Sequence, residues 1–261
     1  MKKCLRKLFY LVSKNKYLYR LANRIVFDHR GENNCEIETN GEMFVLKKYL
    51  TSGDVVFDVG ANIGDWTKTV LNIIPDAAVH CFEPCRKTFL TLKDNNFSGN
   101  VILNNIGLGS KNEEKDFYTI EADSTINSLY LRNDLLDKKD CQKETIILRS
   151  LDDYCTANNI DKINFLKIDV EGNEFEVLVG AKRMLLENKI NLIQLEYGGT
   201  YIDSRIFLKD VFDFFNKENK LNYNFYKIMP DKITKVSYSE DLDNFQYCNY
   251  LIANNNFFNL K

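Results

Sequence analysis

Apolar positions along this chain change their period repeatedly, and the changes mark its elements. Val55 to Val59 is a run of strand length, which fits a strand covered on both faces in a parallel sheet. Helical spacing follows over Asp65–Ile74, then a strand over Ala78–Phe82, a helix over Arg86–Asn96 and a strand over Val101–Ile106. The segments "KDFYTI" and "ETIILRS" are expected as strands and "LDDYCTANN" as a short helix. "INFLKIDVEG" is a strand ending in acids, followed by a helix over Asn173–Asn188, the strand "INLIQLEYG" and a helix over Asp203–Glu218. Three strand-like segments close the chain: "NYNFYKIM", "KITKVSY" and "YCNYLIAN". Strand and helix alternating from residue 54 to about 220 predict a doubly wound, mostly parallel α/β sheet, and the strand-rich tail predicts antiparallel pairing at one edge.

Before this alternation, Met43 to Leu50 has helical spacing. Further upstream, Leu5, Leu8, Phe9 and Val12, then Leu18, Leu21, Ala22 and Ile25, fall at helical intervals. Charge changes the picture here. Residues 1–30 hold nine Lys/Arg against one acid, Asp28, whereas the whole chain has a formal net charge of −2. Two readings stand for this basic arm: packing on its own domain, or contact with a membrane surface or an acidic partner. The apolar stretch Leu8–Val12 is too short for a signal peptide, and no stretch reaches the ~20 apolar residues of a spanning helix. The overall charge gives no case for nucleic acid. Seven cysteines (Cys4, Cys35, Cys81, Cys85, Cys141, Cys155, Cys248) form no CxxC pair and have only His29 and His80 beside them. Zinc is not expected, and reduced thiols in the cytoplasm are the simplest expectation.

The chemistry starts at the loop after the first strand, Asp58-Val-Gly60-Ala61-Asn62-Ile-Gly64. In an open α/β sheet, ligands bind beyond the carboxyl ends of the strands. A dinucleotide fingerprint needs G-x-G-x-x-G, and Asn62 stands where its second glycine belongs. No GK[ST] phosphate loop is present either. The turn suits a smaller anion, such as an amino-acid carboxylate. Nineteen residues beyond Gly64, the second strand ends at Glu83, whose carboxylate can accept from both hydroxyls of a ribose. Taken singly, the glycines fit a tight turn and Glu83 a helix N-cap; in this order they suit a ligand with a ribose and a carboxylate.

The stretches "FDVGANIG" (57–64), "FEP" (82–84), "LDDY" (151–154) and above all "FLKIDVEGNE" (165–174) resemble the FkbM family of S-adenosylmethionine-dependent methyltransferases, over roughly Val55 to Ala253. The resemblance implies a class I methyltransferase (Rossmann-like) fold with a mostly parallel, seven-stranded sheet and an antiparallel edge strand. It implies a methyltransferase domain over 51–261 behind a basic helical arm and cap over 1–50. It implies O-methylation of a hydroxyl on a sugar, glycan or glycosylated metabolite, with S-adenosyl-L-methionine as donor.

On that basis Asp58 meets the donor's amine, Gly60, Ala61, Asn62 and Gly64 its amino-acid end, and Glu83 its ribose. Asn105 lies near the adenine or caps the turn before Gly107. Lys167, Asp169 and Glu171 share one face of their strand. A cluster of acids beside a lysine suits proton transfer from the acceptor hydroxyl. Asp169 is the first candidate base or positioner, Glu171 the next, and Glu196, ending its own strand, faces the acceptor or serves structure. Glu171 and Glu174 also fit as helix caps. Trp66 and Tyr197 border the site or belong to the core, Glu42 and His29 lie on the acceptor side or in solvated loops, and His80 packs. Ser124, Thr125, Asn127 and Ser128 form a polar loop able to meet hydroxyls. Asp169, Glu171 and Glu196 are oxygen ligands of the kind Mg²⁺ takes, but no metal is expected. The rivals are an NAD-dependent oxidoreductase, weakened by the missing fingerprint, and a non-catalytic binding module.

Overall fold

The computed structural model describes residues 12–119 and 142–258, together with Arg6, Phe9, Tyr10 and Leu129. The polar loop containing Ser124, Thr125, Asn127 and Ser128 lies outside the described residues, as do Leu5 and Leu8 of the arm. The strands in chain order are β1 (Val55–Val59), β2 (Ala78–Phe82), β3 (Asn100–Asn104), β4 (Gly107–Gly109), β5 (Glu113–Thr119), β6 (Gln142–Ser150), β7 (Ile163–Ile168), β8 (Ile190–Tyr197), β9 (Tyr223–Met229), β10 (Lys232–Val236) and β11 (Cys248–Asn254).

Eight of them form the central sheet in the order β10-β9-β11-β8-β7-β1-β2-β3. The five strands from β3 to β8 pair in parallel, as their apolar runs predict. β11 is inserted antiparallel between β8 and β9, and β10 adds a further antiparallel edge. The fold is thus the expected α/β class, with an eighth strand beyond the seven foreseen. Neighbouring positions face opposite sides of the sheet. Val56 and Phe165 join one buried cluster, while Phe57 and Leu166 join the other. The helix Glu42–Tyr49 packs Val45, Leu46 and Tyr49 into the first of these.

A second, three-stranded sheet in the order β4-β6-β5 stands beside the carboxyl ends of the parallel strands. The predicted strand Val101–Ile106 forms as β3 in the main sheet and ends at Asn104, and β4, three residues further on, is an unforeseen strand of the small sheet. The predicted helix Asn173–Asn188 divides, into Glu174–Gly180 and Lys182–Leu186. Its break follows Gly180, where a Cβ would lie 2.0 Å from the Gly109 carbonyl oxygen, so the helix presses directly on β4. The helix over Asp203–Glu218 likewise becomes Thr200–Ser204, Leu208–Asp213 and a π-turn over Phe214–Glu218, interrupted at Arg205 with φ +60°.

The basic arm forms a helix over Lys16–Arg30, capped by the Asn15 side chain accepting from the Tyr17 and Leu18 N–H groups. No helix among the described residues is long and apolar enough to cross a membrane.

Candidate active site

The carboxyl ends of β1, β2 and β7 border a cavity of about 640 Å³. One wall is the glycine turn. Gly60 has φ +84°, and a Cβ there would sit 1.8 Å from the Asp169 carbonyl oxygen, so only glycine lets β1 leave the sheet this close to β7. Asn62 takes the left-handed conformation, φ +48°, which asparagine tolerates better than most residues.

Glu83 ties this turn to the end of β2. Its Oε2 accepts from the Asn62 N–H at 3.0 Å and its Oε1 from the Cys85 N–H at 2.9 Å. Each oxygen retains a second lone pair for a ligand hydroxyl. Burial pushes the carboxyl up to about 7, against the pull of those two N–H groups. Asn105 does not line the cavity. Its amide donates to the Glu83 and Pro84 carbonyl oxygens at 2.9 and 3.1 Å, bracing the backbone beneath Glu83.

Asp58 lies fully buried behind the turn. Its Oδ2 accepts from Thr67 Oγ1 at 2.7 Å, and its Oδ1 is 3.7 Å from Lys167 Nζ. Lys167 Nζ also donates to Asp169 Oδ2 at 2.9 Å and stands over the Trp66 ring at 5.5 Å. Burial opposes the ammonium charge, but Asp169, Asp58 and Glu42 outweigh it and hold the lysine above its ordinary value. Lys167 is therefore a fixed cation.

Asp169 and Glu171 both line the cavity. Glu171 has φ +55°, an unfavourable conformation for its type, followed by Gly172 at +104°. Glu174 holds this turn: its Oε1 accepts from the Val170 and Gly172 N–H groups at 3.0 and 3.1 Å. Glu174 is thus a brace on the turn before its helix rather than a cap on the helix itself. Glu196 is not among the residues lining the cavity. Burial, with the negative charges of Asp169 and Glu171, pushes its carboxyl well above the usual range.

Of the predicted residues, Gly60, Ala61, Asn62, Glu83, Lys167, Asp169 and Glu171 are brought together around the cavity. Asp58, Gly64, Asn105 and Glu196 are not lining residues. Gly64, at φ +90°, packs where a Cβ would meet Phe97 and Leu92. Tyr197 is core, edge-on to Tyr201 and stacked on Phe245. His80 packs against Tyr154, whose hydroxyl lies 2.8 Å from its Nδ1, and His29 is on the exposed arm.

Several lining residues were not foreseen. Cys35 to Glu38 and Tyr247 close the cavity from segments more than 200 positions apart in sequence, and Asn173 reaches in from the turn after β7. The small sheet contributes Phe117, Ile146 and Leu148, which with Phe82, Pro84 and Leu108 make one end apolar. Glu42 is buried and accepts from Asn40 and Gln194 at 2.7 and 2.6 Å, fixing the Cys35–Glu38 loop's neighbour against β8. No group of three His, Cys, Asp or Glu side chains among the described residues is placed to hold a metal.

Several polar atoms in the wall are buried without a partner: Asn62 Oδ1, Trp66 Nε1 and Asn173 Oδ1. Such orphans are costly unless a ligand or water satisfies them. Two acceptors and a donor beside a ribose-type carboxylate and an apolar end fit a ligand with an amino acid, a sugar and a flat base, as S-adenosylmethionine has.

The chain is 25% identical over 154 residues to a 2-O-methyltransferase, NoeI, of Sinorhizobium fredii, covering 55% of this chain and 63% of that protein. It is 29% identical over 168 residues to a hexuronic acid methyltransferase, AglP, of Haloferax volcanii, covering 62% of this chain and 65% of that protein. The chain thus spans just under two thirds of the length of these relatives. Among solved structures, a precorrin-6y C5,15-methyltransferase of Geobacter metallireducens superposes with a TM-score of 0.41 at 13% identity, over 87% of this chain and 95% of that one. The family described as the methyltransferase FkbM domain matches residues 58–225, from the acid at the glycine turn to the middle of β9, and the chain belongs to that family.

Proposed function

We propose that this protein is an S-adenosylmethionine-dependent O-methyltransferase acting on a hydroxyl of a sugar or glycosylated metabolite, most simply a surface polysaccharide or its precursor, in the cytoplasm. The observation that carries the proposal is one cavity with a glycine turn tied to Glu83 on one side and Asp169 with Glu171 on the other. The names of the two relatives, one a 2-O-methyltransferase and one a hexuronic acid methyltransferase, favour a sugar hydroxyl as acceptor. An NAD-dependent oxidoreductase is disfavoured, because the turn lacks the second glycine and carries Asn62 in its place.

When bound, S-adenosylmethionine supplies an electrophilic sulfonium methyl. Glu83 would hold its ribose hydroxyls through the free lone pairs, and Asn62 Oδ1 is an unpaired acceptor for its ammonium. Phe82, Pro84, Leu108 and Leu148 would flank the base. Asp58 acts from behind, holding Lys167 and receiving the Thr67 hydroxyl.

Proton handling falls to Asp169. It is partly exposed to the cavity, it is an acceptor, and Lys167 Nζ at 2.9 Å fixes the orientation of its carboxylate. An alcohol is a weak nucleophile, so orienting it and taking its proton as the new bond forms both lower the barrier. Glu171 is a second cavity carboxylate able to orient the acceptor. Glu196, whose carboxyl is held above the usual range by burial and by the charges of Asp169 and Glu171, lies outside the cavity lining and is a structural neighbour of the pair.

Mass spectrometry of surface glycans and small molecules from cells with and without this protein tests the proposal. A species lacking one methyl group in its absence supports it. An unchanged glycan and metabolite profile opposes it.

A further inference from the structure

We propose that the helix Lys16–Arg30 docks the protein on an anionic lipid bilayer surface. This does not depend on the acceptor, nor on the donor assigned to the cavity.

The helix has fifteen residues and buries none of them. At 3.6 residues per turn, Leu18, Leu21, Ala22 and Ile25 form one stripe, bordered by Tyr17 and Val26. Lys16, Arg20, Arg24 and Arg30 lie around the opposite side, centred on Asn23 and Phe27. Burial then decides which side faces the protein. Asn23 and Phe27 are the two helix residues that are not fully exposed. Leu21 and Ile25, by contrast, are 57% and 60% exposed. The apolar stripe therefore points away from the domain, the reverse of a helix that packs on its own core.

The orientation is fixed at the helix end. Gly31 takes φ +64°, its N–H donates to the Asp28 carbonyl, and the Glu32 N–H donates to the Phe27 carbonyl at 2.9 Å. Glu32 is buried and accepts from Lys227 Nζ of β9 at 2.8 Å and from Asn244 at 3.0 Å. The arm thus leaves the sheet from a braced corner.

Charge selects the occupant. Asp28 is the one acid in residues 1–30, against nine basic residues, so two copies of this helix would repel each other. An apolar stripe backed by an exposed basic face fits a surface that is anionic outside and hydrocarbon inside, with the long basic side chains reaching around the helix to phosphates. Tyr17, Tyr19 and, before the helix, Tyr10 and Phe9 are exposed aromatics suited to the headgroup boundary. Lys14 Nζ over the Tyr10 ring at 4.6 Å pairs the two features. Docking by this stripe leaves the domain, joined through the Glu32 corner, above the lipid.

The test is flotation of the full chain with vesicles of phosphatidylcholine alone or with phosphatidylglycerol added, alongside sedimentation equilibrium without lipid. The expected result is flotation with anionic vesicles, roughly tenfold above neutral ones and reduced by salt. The double variant Leu21→Glu with Ile25→Glu should lose it while keeping the wild-type thermal midpoint, because neither side chain is buried. Arg20→Glu with Arg24→Glu should lose the preference for anionic lipid. No flotation with anionic vesicles, or equal flotation of the Leu21→Glu/Ile25→Glu variant, would overturn the proposal. So would a wild-type dimer that the same variant dissociates, since the stripe would then be an interface between copies.

Discussion

Replacing Glu174 by Gln separates an ionisation from the hydrogen bonds around it. Oε1 of Glu174 accepts from both the Val170 and Gly172 N–H groups, whereas Oε2 is buried without a partner. A glutamine in the same rotamer keeps both accepted bonds and puts its amide nitrogen where Oε2 stands. Burial, partly offset by those N–H groups, pushes the Glu174 carboxyl from 4.5 up to about 7. Folding therefore takes up a proton between these values. The stability due to the group is fully present below about pH 4.5 and is lost as pH rises through about 7. A gap of about 2.5 units, at ~1.36 kcal/mol per unit, amounts to about 3 kcal/mol. The unpaired amide nitrogen of the variant costs about 1–3 kcal/mol at every pH and leaves the slope alone. Urea unfolding of both proteins at about pH 5 and pH 8 reads the difference. The variant should gain most of about 3 kcal/mol over wild type between the two. An equal difference at both pH values would refute the claim that Glu174 is held with a raised affinity for its proton.

Three further outcomes follow from the site. Asp169→Asn should lower kcat about 100-fold or more while leaving the donor Kd within about threefold, and undiminished turnover would remove Asp169 as the base. Gly60→Ala puts a Cβ 1.8 Å from the Asp169 carbonyl oxygen at φ +84°. It should cost about 3 kcal/mol or more in chemical unfolding, and an unchanged midpoint would show that the turn relaxes freely. Thr67→Val removes the 2.7 Å hydrogen bond to the buried Asp58 at nearly constant volume. A loss of about 2 kcal/mol is expected in the same assay, and no loss would mean that Lys167 alone satisfies Asp58.

The parallel half of the fold was legible because buried parallel strands are apolar on both faces, so β1, β2, β7 and β8 stand out without partners in view. The turn around Asn62 was legible for the same local reason: positive φ at Gly60 and Gly64 leaves a mark in residue type. What one strand cannot show is distance from the site. Glu196 ends its strand as Asp169 ends its own, but β8 lies one strand further from β1 than β7 does. Asn105 was misplaced by a nearer demand, since two backbone carbonyls beside Glu83 take its amide. The second sheet was invisible as a wall because Phe117 and Leu148 carry only ordinary strand patterns. Tyr247 and the Cys35–Glu38 loop meet in space with no spacing rule to join them. The arm was half legible: its periodicity gave the helix, but only the observed burial shows that the apolar stripe faces outward.

Calorimetric titration of the intact protein with S-adenosylmethionine and, separately, with NADH tests the central claim most directly. One S-adenosylmethionine should bind per chain, with affinity weakened at least tenfold in Glu83→Ala, and NADH should give no heat of binding. Binding of NADH with none of S-adenosylmethionine would contradict the account and return the glycine turn to a dinucleotide.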